Sequence, residues 1–209
     1  MTTNELWQKF TSWGRRGRGE AVGPSWIASP WFWLFVMVMV FGIPLYRSLT
    51  VAPPKMLPVI AQLDAFQATN QDGQSFSSQT SLLGAVAIVN FAETPCEDDP
   101  CLKRMETMAE LQNRMLGVGM SVRLLTFGKD PTRDTPEALK RLGARHTARF
   151  RQWVFLSGAA PVGLEPNDDF YLIDQLGRVR TRTPLATREE LNLFVRDLAI
   201  VINSNSAVE

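Results

Sequence analysis

The sequence predicts an α/β domain built on a mixed sheet, held behind one membrane-spanning helix. Three observations carry that prediction. Short apolar runs alternate with amphipathic stretches through the middle of the chain. A late pair of strands is joined by a tight turn and followed by a helix, and no charged residue lies between Ala21 and Tyr46. Strand–helix alternation makes parallel neighbours, whereas a tight turn makes antiparallel ones, so the sheet must be mixed.

The first element is the uncharged run. Trp26 to Tyr46 supplies 21 residues, and about 20 are needed to cross roughly 30 Å of hydrocarbon. Trp26, Trp31, Trp33 and Tyr46 suit the two interfaces, and Pro30 and Pro44 fall near the ends, where a missing amide donor costs least. A buried core helix would show some polar face, and a cleaved signal peptide would be followed by a small-x-small site; this run has neither. Lys9, Arg15, Arg16 and Arg18 precede it against Glu5 and Glu20, while Arg47 and Lys55 follow. The positive-inside bias therefore makes residues 1–25 a cytoplasmic arm and 26–46 the span, with everything later on the far side. Beyond the arm, 18 basic residues face 19 acidic ones. That near-neutral balance lacks the basic footprint that nucleic-acid binding needs.

Residues 47–61, with Pro53, Pro54 and Pro58, read as a stalk, and 62–205 as the folded domain. Asp72-Gly73 is a hairpin turn between Phe66 and Phe76. Ala85-Val-Ala-Ile-Val-Asn-Phe91 is a short apolar run suited to a central strand. A helix follows, with Pro100 in its first turn and Asp98 or Asp99 as cap. Met105, Met108, Leu111 and Met115 form one stripe of that helix; helical spacing explains these methionines as core rather than as soft metal ligands. Val118 to Phe127 supplies the next strand, and Asp134-Thr135-Pro136-Glu137 opens a helix whose buried side carries Leu139 and Leu142. Trp153 to Leu156 is a third buried strand. Phe170–Ile173 and Val179–Thr183 form a hairpin around Asp174–Gly177. Thr187-Arg-Glu-Glu190 is a capping box opening a helix with Leu191, Phe194, Leu198 and Val201 on one face.

The chain has two cysteines, Cys96 and Cys101, between the central strand and its helix. Five residues of regular helix rise about 7.5 Å, beyond the roughly 6.8 Å that a disulfide spans. Cys96 must therefore lie in the loop, with Cys101 in the first helical turn. In an oxidising compartment the two can pair; as thiolates they can hold Cu(I). A helix N-terminus acidifies a thiol, but Glu97, Asp98 and Asp99 oppose it, so no unusually acidic thiol is expected. The plain alternative is a disulfide that staples the loop, worth about 2 kcal/mol for so short a ring.

Several motifs occur in a telling order: Asp72-Gly73, Leu83-Gly84 before the central strand, Thr94-Pro95 with Cys96 and Cys101, Asp130-Pro-Thr-Arg-Asp-Thr-Pro-Glu137, Trp153-Val-Phe-Leu-Ser-Gly158, and Tyr171-Leu-Ile-Asp174 with Gly177-Arg178. Together they resemble the SCO/SenC family, thioredoxin-like, membrane-anchored proteins involved in maturing the copper centres of respiratory oxidases. The resemblance covers roughly residues 62–200. It implies a thioredoxin-like three-layer sandwich, with Cys96 and Cys101 as both catalytic and metal-ligating residues. It also implies Cu(I) as the bound metal and a respiratory oxidase or complex subunit as partner. The place implied is the bacterial inner membrane, with the C-terminal domain in the periplasm. Asp130 matches the family's acidic residue after the third strand and is a third catalytic candidate; its plain reading is a turn former.

The departures from the family are local. Its cysteines typically stand as Cys-x-x-x-Cys; here four residues intervene. Its histidine position falls near Pro166, whereas the one histidine of this chain, His146, lies before the Trp153 strand and reads as a surface residue. Only twelve residues separate Gly158 from Tyr171, where the family has a longer stretch with a helix and a strand. Two functions stand on this reading. One is an oxidase-biogenesis accessory protein that delivers Cu(I) or reduces partner thiols. The other is a non-enzymatic scaffold subunit whose disulfide is structural.

Overall fold

The computed structural model describes residues 29–50, 56–117 and 121–205. The expected arm 1–25, the start of the span at Trp26 and the first residues of the strand expected from Val118 lie outside them. The chain divides into two compact units, the first ending at Pro53.

The N-terminal unit contains helix α1, Pro30–Thr50, 21 residues long and apolar enough to cross a membrane. None of its residues is buried. The helix runs four residues beyond Tyr46, into the segment expected as stalk. Loss of apolarity at Arg47 and Ser48 marks where a membrane span would stop, but it does not stop a helix. Pro44 is thereby placed inside α1, two residues after a π-helical stretch at Val38–Gly42. A proline ring collides with the carbonyl four residues back and offers that carbonyl no donor, and the wider π turn accommodates both.

The second unit is an eight-stranded mixed sheet. Its strands are β1 (Ala61–Gln62), β2 (Gln67–Asn70), β3 (Ser75–Ser77), β4 (Val86–Ala92), β5 (Val122–Gly128), β6 (Trp153–Ser157), β7 (Phe170–Ile173) and β8 (Arg178–Thr183). The spatial order is β1-β8-β7-β4-β5-β6-β2-β3. β4, β5 and β6 are parallel, and β7, β8 and the β2–β3 hairpin pair antiparallel. All seven residues of β4 are buried, as an apolar run with neighbours on both sides requires. The backbone is already tied to the sheet before residue 62. Ile60 N donates to Val179 O, and Leu57 O accepts from Arg180 Nη1 at 2.6 Å.

One face of the sheet is covered by helices α3 (Asp99–Arg114), α4 (Pro136–Arg145) and α5 (Arg188–Asn205). Met105, Met108 and Met115 pack there against Val86, Ile88, Leu124, Trp153 and Phe155. The other face is closed by Leu63, Phe66, Phe76, Leu82 and Leu164, from the β2–β3 region, the one-turn α2 (Ser78–Ser81) and the loop after β6. The result is a thioredoxin-like sandwich whose third layer is mostly hairpin and loop.

Local sequence chemistry sets the boundaries. The turn into β3 places Gly73 at φ 76°. Asp98 caps α3, accepting from Cys101 N, and Thr135 caps α4, accepting from Ala138 N. Thr187 and Glu190 cap α5 reciprocally: Thr187 N donates to Glu190 Oε2 at 2.9 Å, and Glu190 N to Thr187 Oγ1 at 3.2 Å.

Candidate functional site

β4 delivers the chain to a short loop, Glu93–Asp98, from which α3 departs. Cys96 lies in that loop and Cys101 in the first turn of α3, joined as a disulfide with Cα atoms 5.6 Å apart. Six residues close the ring because only the last of them are helical. Asp98, not Asp99, is the cap, which leaves Pro100 inside the first turn, where its missing donor has no partner to lose.

The two cysteines are both buried but differ in what they border. Cys101 is 0% exposed, and its Sγ lies 4.0 Å from Glu93 O, a packing contact because a disulfide sulfur carries no hydrogen. Cys96 is 4% exposed and borders a cleft of about 350 Å³. Of the two, Cys96 is the cysteine that lines the cleft, and thiol exchange on such a pair would begin at its Sγ. A bond from the incoming sulfur to Cys96 displaces Cys101 Sγ, which leaves with the electron pair of the broken S–S bond. Glu97, Asp98 and Asp99 are exposed beside the pair.

The loop is held by a residue that the sequence placed only at the start of a helix. Asp134 is completely buried. Its Oδ1 accepts from Thr94 N at 2.7 Å and Thr94 Oγ1 at 2.6 Å, and its Oδ2 accepts from Asp130 N at 2.8 Å. Arg133 adds Nη2 to Thr94 O at 3.1 Å. The Thr94–Pro95 peptide is cis. Asp134 therefore fastens the start of the cysteine loop to the segment between β5 and α4. Because Thr135 caps α4 instead, the Asp134 side chain is left to turn inward. A Cβ on Gly128 would run into the Asp134 side chain, so a glycine at the end of β5 is part of the same arrangement.

Asp130, the third candidate, is engaged locally. Its Oδ1 accepts from Thr132 Oγ1 at 2.7 Å and Thr132 N at 2.9 Å. These bonds, the hydroxyl's first, hold its carboxyl below the usual carboxylate range. This is the geometry of an Asx turn, and the acid that reaches the cysteine loop is Asp134.

The donor set limits metal chemistry. Among the described residues no group of three or more His, Cys, Asp or Glu side chains is placed to hold a metal ion. His146 sits at the C-cap of α4, half-buried rather than on the surface. Burial pushes its pKa down against an opposing pull from Glu106, and Arg145 lowers it further. When reduced, Cys96 and Cys101 have the donors for a two-coordinate Cu(I); they do not have those for a three-ligand centre. The loop near Pro166 carries no helix or strand. It is clamped by Asp168, whose Oδ1 binds Arg104 Nη1 at 2.7 Å and Lys129 Nζ at 2.8 Å. Tyr171 OH donates to Glu165 O at 3.1 Å.

A central strand running into a cysteine pair whose second member opens a helix, on a mixed sheet, defines a thioredoxin-like protein. Residues 59–162 match the SCO1/SenC family model. A SCO1 protein homolog of Bacillus subtilis (strain 168) is 32% identical over 108 residues, 52% of this chain and 55% of that protein. The match thus spans about half the length of that curated relative. The structure of a SCO1/SenC family lipoprotein from Bacillus anthracis str. Ames superposes with a TM-score of 0.60 at 26% identity, covering 70% of this chain and 99% of that one. Bradyrhizobium japonicum ScoI, solved with copper bound, shares the fold at a TM-score of 0.53 and 23% identity, over 65% and 98% of the two chains. The chain belongs, through this domain, to the SCO1/SenC family.

Proposed function

We propose that this chain is a membrane-anchored accessory protein of respiratory-oxidase biogenesis, acting through Cys96 and Cys101 on the thiols of a partner subunit. α1 anchors it in a bacterial inner membrane, with residues 1–25 cytoplasmic and the thioredoxin-like domain periplasmic. Three tryptophans and the uncharged stretch to Tyr46 support that placement. The observation that carries the reading is the asymmetric disulfide at the strand–helix junction, with Cys96 on a cleft and Cys101 enclosed.

Two branches share this pair. As a reductant, the dithiol form attacks a partner disulfide through Cys96; Cys101 then displaces the partner, which leaves reduced. As a Cu(I) carrier, the two thiolates hold the ion and pass it to the partner's sulfurs. The first asks for nothing beyond the two sulfurs. The second works with a two-coordinate ion that the partner's ligands complete.

Anaerobic Cu(I) titration of the reduced, detergent-solubilised chain, beside the C96S/C101S variant, tests the carrier branch. Uptake by wild type alone is expected, and identical uptake by both removes that branch. Exchange with a physiological dithiol tests the reductant branch, which fails if no exchange occurs at a useful rate.

A second reading, a scaffold subunit with a structural disulfide, is favoured by one fact: 96% of Cys96 and all of Cys101 are out of solvent. It predicts that C96S/C101S still supports oxidase assembly in cells. The first reading predicts an assembly defect, with partners still recovered through the anchor in mild detergent.

A further inference from the structure

The cleft that borders Cys96 is lined by Thr94, Pro95, Arg133, Arg141 and Arg145, and by no carboxylate. The domain as a whole is close to neutral, so three guanidinium groups around one opening are a local concentration. Two of them have no anion of their own. Arg141 and Arg145 stand one turn apart on α4, both exposed, and neither takes part in an ion pair or side-chain hydrogen bond among the described residues. Glu137, one turn before Arg141, is not within ion-pair reach of it. Arg133 is tied by Nη2 to Thr94 O, the carbonyl two residues before Cys96. Glu97, Asp98 and Asp99 follow Cys96 in the chain and are exposed. None of these acids lines the cleft, so the part of the surface that Cys96 borders there is basic.

The geometry points to a selectivity device: the arginine cleft on α4 receives an acidic, cysteine-bearing segment of a partner polypeptide and directs its thiol to Cys96. This rests on the thiol-exchange reading given above. Carboxylates flanking the partner's cysteine pair with Arg141 and Arg145, while Arg133 holds the cleft's floor to the cysteine loop. Guanidinium is suited to this, since its planar fork pairs with carboxylates. The step balances in the oxidised direction. The partner thiolate bonds to Cys96 Sγ, the Cys96–Cys101 bond breaks, and Cys101 leaves as a thiolate. The same contacts serve the reverse step. A basic or neutral segment gains none of this, and a basic one is repelled.

The test uses the oxidised full chain in detergent and three synthetic peptides of equal length. Each has one cysteine flanked by glutamates, glutamines or lysines, and mixed-disulfide formation is followed by quenching and mass spectrometry. At low salt the acidic peptide is expected to react about tenfold faster than the neutral one, equivalent to about 1.4 kcal/mol, and the basic peptide more slowly than both. Near 1 M salt, where the Debye length is about 3 Å, the spread should collapse. R141E/R145E should invert the order of acidic and basic peptides. Because the readout is a ratio within one protein, general damage does not mimic it. R196E, at an exposed position of α5, should leave the ratio unchanged.

Equal rates for all three peptides overturn the proposal, as does a preference that survives R141E/R145E. Glutathione is expected to match the neutral peptide; a gain equal to the acidic peptide's overturns assignment to a polypeptide partner. If a neutral dithiol also fails to open the disulfide, the thiol-exchange reading falls with it. If that dithiol reacts while peptide charge has no effect, only the cleft assignment falls.

Discussion

Replacing Asp134 by alanine should release the cysteine loop from the rest of the domain. The wild-type carboxylate, wholly buried, accepts from two backbone amides, Thr94 N and Asp130 N, and from the Thr94 hydroxyl. Hydrogen bonds to a charged group contribute about 1.5–3 kcal/mol each, and an orphaned buried donor costs about 1–3 kcal/mol. The hydroxyl can rotate to water and Thr94 is only half-buried, so the two amides dominate. Taken at the lower end of that range, D134A should cost about 3 kcal/mol. For a domain of this size, 1 kcal/mol moves Tm by about 2–4 °C, giving a fall of about 6–12 °C. D134N keeps an acceptor for Thr94 but turns its amide toward Asp130 N, donor against donor, so it should fall between wild type and D134A. Thermal unfolding of the purified chain, followed by near-ultraviolet circular dichroism, measures both. A second readout is specific to the loop: a small neutral dithiol should reduce the disulfide faster in D134A, because Thr94-Pro95-Cys96 is no longer held. The reasoning is refuted if D134A unfolds within about 0.5 kcal/mol of wild type with unchanged reduction rate.

Three further outcomes follow from neighbouring geometry. G128A would drive a Cβ into the Asp134 side chain and should cost about 1–3 kcal/mol; in a double-mutant cycle with D134A it should couple by more than about 0.5 kcal/mol. C96S/C101S should lose about 2 kcal/mol relative to the oxidised chain and match the reduced wild type in urea midpoint. Burial works to raise the Asp174 carboxyl, but the Arg178 and Leu176 amides and the Arg180 and Arg178 side chains outweigh it and hold it low. A depressed carboxylate gives its full stability above its unfolded value and loses it as pH falls through the folded one. Denaturant midpoints measured downward from neutral pH should therefore drop below about pH 4 less steeply in D174N than in wild type.

Much of the fold was legible because it is locally encoded. Asp72-Gly73, the Thr187–Glu190 box and Thr135 before Pro136 each state their structure within four residues, and each adopts it. The apolar run Val86–Phe91, interrupted only by Asn90, likewise announces a central strand. The cysteine geometry was legible too, since helix rise against disulfide reach leaves one solution. What escaped is what tertiary contact decides. Asp134 and Asp130 are both acids in one turn-rich motif, and nothing local says which one reaches Thr94, 40 residues earlier. The hint lay in the cap: once Thr135 caps α4, Asp134 is free for another task. The end of α1 at Thr50 was missed because hydropathy reports where lipid would stop, not where backbone hydrogen bonds do. The arginine cleft needed α4 to be laid beside the cysteine loop before Arg141 and Arg145 met Cys96.

The clamp at Asp168 bears on which chemistry the cysteine pair supports. In the family resemblance the stretch before the β7-like strand supplies a histidine. Here it is short, and its acid is occupied by Arg104 and Lys129. Arg104 is almost fully buried, with Nε and Nη2 lacking partners, and among the described residues Asp168 is the anion paired with it. Swinging this loop to bring a ligand toward the cysteines would strip that buried cation of its counter-charge, which is unfavourable. The loop is therefore fastened by electrostatics in a shape that brings no nitrogen ligand to the pair. A three-ligand copper centre needs such a ligand, and two-electron exchange between sulfurs does not. Of the two branches proposed for Cys96 and Cys101, thiol exchange thus asks least of the residues this chain has.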